Sequence, residues 1–160
     1  MIQIVPFASH YTEGVGALIV GIQRDEFQIQ ITLEDQPDLR NIPAFYQQGA
    51  GNFWVALAEG EVAGTVALLD LGNHQGALRK MFVHASYRGR KHGVATRLLE
   101  TLLEWARSHG TKDIYLGTTE KFLAAHRFYE RNGFRLLAAD ALPPSFPKMA
   151  VDTRFYHRAL

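Results

Sequence analysis

The most regular pattern of hydrophobic and polar positions begins at Val94 and ends near Gly110. Apolar residues recur there at intervals of three and four positions, which is the spacing of one buried helix face. These residues are Val94, Leu98, Leu99, Leu102, Leu103, Trp105 and Ala106. Charged residues occupy the other side, and Gly110 stands where a helix end favours a left-handed residue. The stretch therefore predicts a long amphipathic helix.

Shorter apolar runs bounded by turn residues predict seven β-strands. They cover approximately positions 2–7, 53–59, 62–70, 77–83, 113–117, 134–139 and 153–159. Three more helices are predicted at 11–23, from Pro37 towards Gly49, and at 120–131, where Thr118 or Thr119 would cap the helix. This order of elements indicates an α/β fold with a mixed sheet. No linker or repeat divides residues 1–160, which indicates a single domain.

The composition narrows the class of function. With 21% charged residues and a net charge of +1, the chain has no overall field that favours nucleic acid or a membrane as a partner. It has no cysteine, which excludes a disulfide framework, a thiolate metal site and a cysteine nucleophile. The histidines show no H-x-x-x-H spacing, so we predict no metal site. Without a signal-peptide pattern or a long apolar run, a cytoplasmic location is expected.

A basic turn separates the predicted strand at 77–83 from the long helix. The first N–H groups of a helix lack internal partners and carry partial positive charge, so they attract anions. Gly93 would let an anion approach the backbone closely, and Ala95 keeps the next turn low. The surrounding cationic side chains are Arg88, Arg90, Lys91 and His92. Taken alone, this turn is better explained as a solvated helix entrance; together with the motifs described next, it indicates a phosphate site.

The common nucleotide signatures G-x-x-x-x-G-K-[ST] and G-x-G-x-x-G are absent. Residues 90–95, Arg-Lys-His-Gly-Val-Ala, resemble instead the Arg/Gln-x-x-Gly-x-Gly/Ala loop of the GCN5-related N-acetyltransferase (GNAT) superfamily, which grips the pyrophosphate of acetyl-coenzyme A (acetyl-CoA). Residues 124–134, which end in Asn-Gly-Phe, resemble the second conserved block of that superfamily. The resemblance covers about residues 53–138. It implies a GNAT-like fold, with a mostly antiparallel mixed sheet of about seven strands flanked by about four helices.

The resemblance also implies which residues hold the coenzyme. They are Phe82, Val83, Arg88, Arg90, Lys91, His92, Gly93, Val94, Ala95, Thr96, Ala125 and Phe128. The strand backbone at Phe82 and Val83 would pair with pantetheine like an added β-strand. Tyr129 matches the tyrosine beside the coenzyme sulfur and is the predicted catalytic residue. Two positions depart from the family pattern: Phe122 stands where an asparagine is frequent, and Ala77 where a glutamate often deprotonates the amine.

Attack of an amine on a thioester requires the neutral amine, and only about one lysine-like amine in a thousand is neutral near pH ~7.4. A base or a water chain must therefore help. The sequence leaves this base unassigned among Glu26, Glu34, Asp38, Asp70, His74, Glu120 and His126. His126 precedes Tyr129 by one helical turn, and histidine suits proton transfer near neutral pH. We expect Tyr129 to donate a hydrogen bond to the leaving thiolate, and a backbone N–H at Phe82 or Val83 to stabilise the oxyanion.

These observations predict an enzyme that transfers an acetyl group from acetyl-CoA to a primary amine of a small molecule or peptide, directly in a ternary complex. An acyl-CoA sensor that lost turnover is the alternative, because Ala77 and Phe122 depart from the pattern. A nucleic-acid binder fits the near-neutral remainder of the chain poorly. The segment at 27–46 and the proline loop after Ala141 would shape the acceptor site. Charged and aromatic residues adjoin at 152–156, where we predict a sheet edge or a subunit contact, so a homodimer is one option.

Overall fold

A seven-stranded mixed sheet forms the centre of the fold in a computed structural model, which describes residues 1–89, 91–120 and 122–160. The strands are β1 (Ile2–Pro6), β2 (Asn52–Ala58), β3 (Glu61–Gly72), β4 (Gln75–Val83), β5 (Asp113–Thr118), β6 (Arg135–Leu137) and β7 (Arg154–Ala159). They lie in the order β1-β2-β3-β4-β5-β7-β6, and every neighbouring pair is antiparallel except β4 and β5. The predicted mixed, mostly antiparallel sheet is confirmed.

Helices cover both faces of this sheet. Over the described ranges they are α1 (Thr12–Gly21), which a π-helical turn (Ile22–Glu26) continues, α2 (Pro37–Arg40), α3 (Ile42–Phe45), α4 (Val94–Ser108) and α5 (Leu123–Arg131), with 3₁₀ turns at Ser9–Tyr11, Ala85–Tyr87 and Ala139–Ala141. None of the helices so described is long and apolar enough to cross a bilayer.

The single helix predicted from Pro37 towards Gly49 is two one-turn helices. Asn41 interrupts the run with φ −148° and ψ 65°, and its side chain accepts a hydrogen bond from the Ala44 N–H. Each of the two helices has a proline in its first turn, Pro37 in α2 and Pro43 in α3. Proline suits the first turn of a helix because it has no N–H to donate. The non-helical Asn41 and the proline in the first turn of α3 therefore give a second helix where the sequence pattern predicted continuation.

The helix predicted after Val94 is confirmed as α4, which packs its apolar face on the sheet. Its Leu98 and Leu102 are fully buried, in a cluster that includes Trp54 and Ala56 of β2. The alternate β2 residues belong to a second cluster with α1, α2 and α3, and include Phe53, Val55 and Leu57. Because successive strand residues face opposite sides, both faces of β2 are covered. This explains why all seven β2 residues are buried.

β4 and β5 pair only near their beginnings. Their parallel ladder joins Gln75 to Asp113, Gly76 to Ile114 and Ala77 to Tyr115. Beyond these positions β4 continues to Val83 and β5 to Thr118, and the described register contains no further pair between them. Strands that part in this way leave backbone N–H and C=O groups on their facing edges, which need other partners. The separation opens the sheet towards the first turns of α4 and α5.

β7 is an interior strand, so the predicted sheet edge at 152–156 is wrong. It pairs with β5 on one side and with β6 on the other. Tyr156 is fully buried; its hydroxyl donates to Glu130 over 2.6 Å and accepts from Arg154 Nε over 2.8 Å. The charges that indicated an exposed edge therefore belong to a hydrogen-bond network around a buried phenol.

The predicted threonine cap of α5 is also wrong. Thr118 ends β5, and α5 begins at Leu123 with Phe122 in the N-cap position and no capping side chain. The backbone carbonyl of Thr119 stabilises the helix start instead. It accepts one hydrogen bond from the Phe122 N–H over 3.1 Å and one from Nε2 of His126 over 2.9 Å. A backbone carbonyl and a buried imidazole thus stabilise this helix start, which no capping pattern predicts.

Candidate functional site

A cavity of about 440 Å³ lies between the end of β4 and the first turns of α4 and α5. Its volume is typical of small-molecule sites, which measure roughly 300–1,000 Å³. The predicted coenzyme-binding residues that line it are Phe82, Val83, Arg88, Gly93, Ala95, Thr96, Ala125 and Phe128. The structure therefore brings the strand end, the glycine turn and one face of α5 together around one space.

The turn before α4 has the geometry of an anion site. Gly93 is the N-cap residue of α4 and is left-handed, with φ +62° and ψ 20°. Among the residues that the structure describes, no atom outside its chain neighbours lies within 4 Å of the position that a Cβ would take there, so these residues leave the backbone open. The first bond inside the helix runs from the Arg97 N–H to the Gly93 carbonyl. The N–H groups of residues 94–96 therefore have no partner within the helix.

Of the predicted coenzyme-binding residues that the structure describes, Lys91, His92 and Val94 do not line this cavity. Lys91 and His92 are exposed beside it, and the His92 ring contacts Tyr87 with 5.6 Å between ring centroids. Val94 is 1% exposed and belongs to the core under α4, so only its backbone faces the helix entrance. Arg90 lies outside the described residues.

Arg88 lines the cavity, and its guanidinium already donates hydrogen bonds through Nε and both Nη atoms. Its Nη atoms contact the two carboxylate oxygens of Glu26 at 2.5 and 2.8 Å, and its Nε donates to the Val83 carbonyl over 2.7 Å. Glu26 ends the π-helical turn, and neighbouring Ile22 and Phe27 line the cavity. Arg88 therefore ties the N-terminal segment to the end of β4 across the mouth of the cavity.

Tyr129 lies in the hydrophobic core and does not line the cavity. It is 5% exposed, and its ring packs against Phe128, Phe134 and Tyr156 with centroids 5.7 to 6.1 Å apart. Burial raises the pKa of its hydroxyl well above the ordinary value of a tyrosine. The phenol therefore stays protonated at neutral pH, the form in which it donates a hydrogen bond. The neighbouring Phe128 is the residue that faces the cavity.

None of the candidate bases is among the described residues that line the larger cavity. His126 is 5% exposed, and its Nε2 must donate, because its partner is the Thr119 carbonyl. Asp70 accepts from the N–H groups of Ala50 and Gly72, and Nδ1 of His74 contacts the carbonyl of Gly110. Glu26 binds Arg88, Glu34 and Glu120 are exposed, and Asp38 is buried beside Lys80. Ala77, where the family often has a glutamate, is fully buried inside the sheet.

A second cavity, of about 120 Å³, lies next to the first, and no sequence motif predicted it. Both are lined by Phe82 and Phe122, whose rings meet edge to face at 6.5 Å, and Phe27 also meets Phe122 edge to face, at 4.4 Å. Phe122, where the family often has an asparagine, therefore forms part of an aromatic wall between two cavities. The smaller cavity is polar on one side, where Arg79, Lys80 and Asp152 line it.

A bulge in β4 brings two adjacent cationic residues to this second cavity. Lys80 is left-handed with φ +56°, and the pairing with β3 shifts around it, since Thr65 pairs with Phe82 but Ala67 with Arg79. Successive residues of a regular strand face opposite sides, whereas a bulge redirects a side chain. Arg79 and Lys80 can therefore both line the cavity. An Arg-Lys pair inside an otherwise apolar strand is the sequence signal that would have marked this place.

Lys80 is held in a buried polar network. Its Nζ lies 3.4 Å from a carboxylate oxygen of Asp38 and donates to Gln36 over 2.7 Å. The same Asp38 oxygen accepts from the Tyr46 hydroxyl over 2.6 Å, and Gln36 bonds to Gln23. Burial lowers the pKa of Lys80, and the Asp38 charge opposes this shift. The network fixes one wall of the second cavity.

Comparisons with known proteins agree with this architecture. The chain matches the model of the acetyltransferase (GNAT) family over residues 18–134. It is 37% identical over 123 residues to the N-acetylaspartate synthetase of Danio rerio, an alignment that covers 74% of this chain and 43% of that protein. The chain spans less than half the length of the curated relatives that it matches.

Solved structures share the fold over its whole length. A GNAT-family acetyltransferase from Staphylococcus aureus Mu50 superposes with a TM-score of 0.95 and 40% identity, covering 99% of both chains. N-acetylglutamate synthase from Neisseria gonorrhoeae, solved with coenzyme A and N-acetyl-glutamate, superposes with a TM-score of 0.76 over 100% of this chain and 35% of that one, at 17% identity. With the glycine turn, the parted strands and the family match in place, the chain belongs to the acetyltransferase (GNAT) family.

Proposed function

We propose that this protein is an N-acetyltransferase that binds acetyl-CoA in the larger cavity and transfers the acetyl group to a primary amine. The observation that carries the proposal is the left-handed Gly93 at the start of α4, which opens backbone N–H groups towards a cavity bounded by the end of β4. A helix N-terminus with an unobstructed glycine favours a diphosphate. The end of β4 pairs with β3 on one side, and its other side, beyond the ladder with β5, favours an extended amide-bearing arm.

The coenzyme would extend from the helix entrance along β4. Its diphosphate would accept hydrogen bonds from the N–H groups of residues 94–96, and its pantetheine arm would follow the backbone of Phe82 and Val83. Ala125 and Phe128 would pack against that arm from α5. The Neisseria gonorrhoeae enzyme of the same fold, solved with coenzyme A, supports this choice of cosubstrate. The exposed Lys91 adds positive charge near the phosphates.

Transfer would follow direct attack. The neutral amine nitrogen bonds to the acetyl carbonyl carbon, and a backbone N–H at Phe82 or Val83 stabilises the oxyanion of the tetrahedral intermediate. The carbon–sulfur bond then breaks, the coenzyme leaves as a thiolate, and the nitrogen passes its extra proton to a base or through water. No covalent enzyme intermediate is needed, in keeping with a chain that contains no cysteine.

Tyr129 is proposed to act from behind the wall of the cavity. Its hydroxyl would donate a hydrogen bond to the developing thiolate. Full proton transfer is less favourable, because burial raises its pKa further above that of a thiol. Its position beside Phe128, which lines the cavity, supports this role. Its burial makes the role demanding, because a shift of the ring or of the cavity wall must bring the hydroxyl to the sulfur.

The experiment is a thiol-release assay with acetyl-CoA and a panel of amines: amino acids, polyamines, aminoglycosides and peptides. Acceptor-dependent release, with the acetylated amine identified by mass spectrometry, is the expected result. Saturable binding of acetyl-CoA with no release for any amine would favour the alternative, an acyl-CoA sensor. The alternative is supported by Ala77, which is fully buried and has no carboxylate where the family often has a glutamate that deprotonates the amine.

A further inference from the structure

Two cations line the second cavity, and in the described parts of the chain only one of them, Lys80, forms an ion pair. Lys80 has Asp38 as its counter-ion, whereas no carboxylate in the described parts of the chain lies within 4 Å of the Arg79 guanidinium. Arg79 is held instead by weaker contacts, over the rings of Phe45 at 5.7 Å and Tyr46 at 5.9 Å and against the Met149 sulfur at 3.4 Å. These contacts orient the guanidinium and leave its charge available.

A carboxylate, Asp152, lines the same polar side of this cavity as Arg79 and Lys80. Asp152 accepts from the Met149 N–H over 3.0 Å, and its Oδ2 is 2.6 Å from the place that a Cβ on residue 117 would take. Gly117 of β5 is therefore the residue that leaves room for this carboxylate. Burial raises the pKa of Asp152, and the nearby charges of Arg79 and Lys80 oppose that rise. The site presents separate positive and negative groups.

The cavity is also placed where an acceptor must enter. It shares Phe82 and Phe122 with the larger cavity, so a molecule held in it would lie next to the coenzyme site near the end of β4. Both segments that the sequence analysis assigned to the acceptor contribute to it: Gln36 comes from 27–46, and Phe146 from the proline loop. At about 120 Å³ it is smaller than the roughly 300–1,000 Å³ of typical small-molecule sites, so its occupant must be small.

We infer that the second cavity binds an amino acid as the amine acceptor, with the acceptor's carboxylate on Arg79 and its ammonium towards Asp152. This inference rests on the proposed acetyl transfer and names its substrate class. A guanidinium binds a carboxylate through two parallel hydrogen bonds, which an amine without a carboxylate cannot form. The Danio rerio relative is named for N-acetylaspartate, which has this chemistry.

The test compares L-aspartate with 1,4-diaminobutane, an amine without a carboxylate. Isothermal titration into protein saturated with coenzyme A measures binding independently of turnover, and thiol release measures transfer. We expect aspartate to bind the wild type, and Arg79→Ala to weaken this binding about tenfold or more, the effect of losing a charge-assisted bidentate contact. Arg135→Ala, on the exposed surface of β6, is the control and should leave both measurements unchanged. An unaltered affinity for coenzyme A will show that Arg79→Ala is folded.

The outcomes separate this inference from the proposed function. Aspartate binding that depends on Arg79 without acetyl transfer would support the subsite and contradict the proposed reaction. Transfer to 1,4-diaminobutane with no binding of aspartate would support the reaction and overturn the subsite. Equal affinity of the wild type and Arg79→Ala for aspartate would also overturn it, as would a wild type that binds no aspartate.

Discussion

Arg88 and Glu26 join two distant parts of the chain at the mouth of the larger cavity. The two Nη atoms of the arginine contact the two oxygens of the carboxylate at 2.5 and 2.8 Å, although 62 positions separate the residues in the sequence. Arg88 was predicted as a phosphate ligand, and in this structure its positive charge is already compensated by a carboxylate. A phosphate that engages Arg88 must therefore compete with Glu26.

Glu26→Gln is expected to strengthen coenzyme binding. The change removes a negative charge next to an anionic ligand and frees the guanidinium. The pair is more than a third exposed on the arginine side, so solvent limits the gain in affinity to about fivefold. Titration calorimetry with coenzyme A measures it, and Asp25→Asn, an exposed carboxylate one position earlier, is the control. Weaker binding by Glu26→Gln would mean that the Arg88 pair holds the site together and does not compete with the phosphate.

Gly93→Asp and Gly93→Asn form a matched pair that tests the helix entrance. Asparagine and aspartate both tolerate the left-handed geometry of this position better than other side chains do, and they differ mainly in charge. Both should lower the free energy of unfolding by a similar amount, of order 1 kcal/mol. The aspartate should weaken coenzyme binding at least about tenfold more than the asparagine, because it places a like charge at the diphosphate. Equal affinities of the two variants would place the phosphates elsewhere.

Tyr129→Phe tests the proposed hydrogen-bond donor while keeping the ring that packs against Phe134 and Tyr156. Turnover should fall about tenfold or more, since donors to developing charge contribute roughly this much or more. The affinity for coenzyme A should stay within about twofold of the wild type, because the ring and the cavity lining are retained. Steady-state kinetics and calorimetry on the same preparations give both numbers. A variant with wild-type turnover would leave Tyr129 as a core residue without a chemical role.

The burial of Tyr129 also predicts how stability changes with pH. Burial raises its pKa in the folded protein, so the folded state keeps a proton that the unfolded state loses above its ordinary pKa of 10.0. The stability that the protonated Tyr129 hydroxyl gives the folded state is fully present below pH 10.0 and is lost as the pH rises above it. Above pH ~10.5, the free energy of unfolding of Tyr129→Phe should therefore fall less steeply than that of the wild type, by about 1.4 kcal/mol per pH unit. Urea unfolding at several alkaline pH values measures the slopes. Equal slopes would show that the hydroxyl titrates as if exposed.

Asp38→Asn tests the buried pair behind the second cavity. The side chains of Lys80 and Asp38 are 8% and 7% exposed, so removing one charge leaves the other buried without a counter-ion. We expect a loss of about 3 kcal/mol in the free energy of unfolding at neutral pH. The double variant Asp38→Asn with Lys80→Met should recover part of it, because no unpaired charge then remains. Asp35→Asn, at an exposed carboxylate, is the control in urea unfolding. An Asp38→Asn protein as stable as the wild type would contradict the pairing.

Much of the fold could be predicted because its signals are local. The apolar spacing of α4 is the hydrophobic side of a helix, and the confirmed strands are short runs bounded by turn residues. Glycine at position 93 is left-handed, as a close approach of an anion to the backbone requires. Where a prediction from local signals was wrong, contacts with distant parts of the chain determine the structure. The charged residues around Tyr156 look like a surface pattern in sequence, and they instead surround a phenol whose hydroxyl needs partners.

The second cavity could not be predicted because it depends on contacts between distant segments. Lys80 meets Asp38 and Gln36 only because β4 carries a bulge, and a bulge leaves no periodic signal in a strand of nine residues. The pairing of Arg88 with Glu26 could not be predicted for the same reason, since nothing near Arg88 in the sequence points to Glu26. The burial of Tyr129 follows from the way α5 packs on β7, while the family motif indicates only the residue type.

The most direct test is an NMR titration of amide chemical shifts with coenzyme A. If the diphosphate lies at the entrance of α4, the largest saturable changes will occur at the amides of residues 93–96 and at Phe82 and Val83 on β4. Amides around Gly110, at the far end of α4, should shift little. Saturable binding that leaves the amides of residues 93–96 unmoved would contradict the placement of the coenzyme.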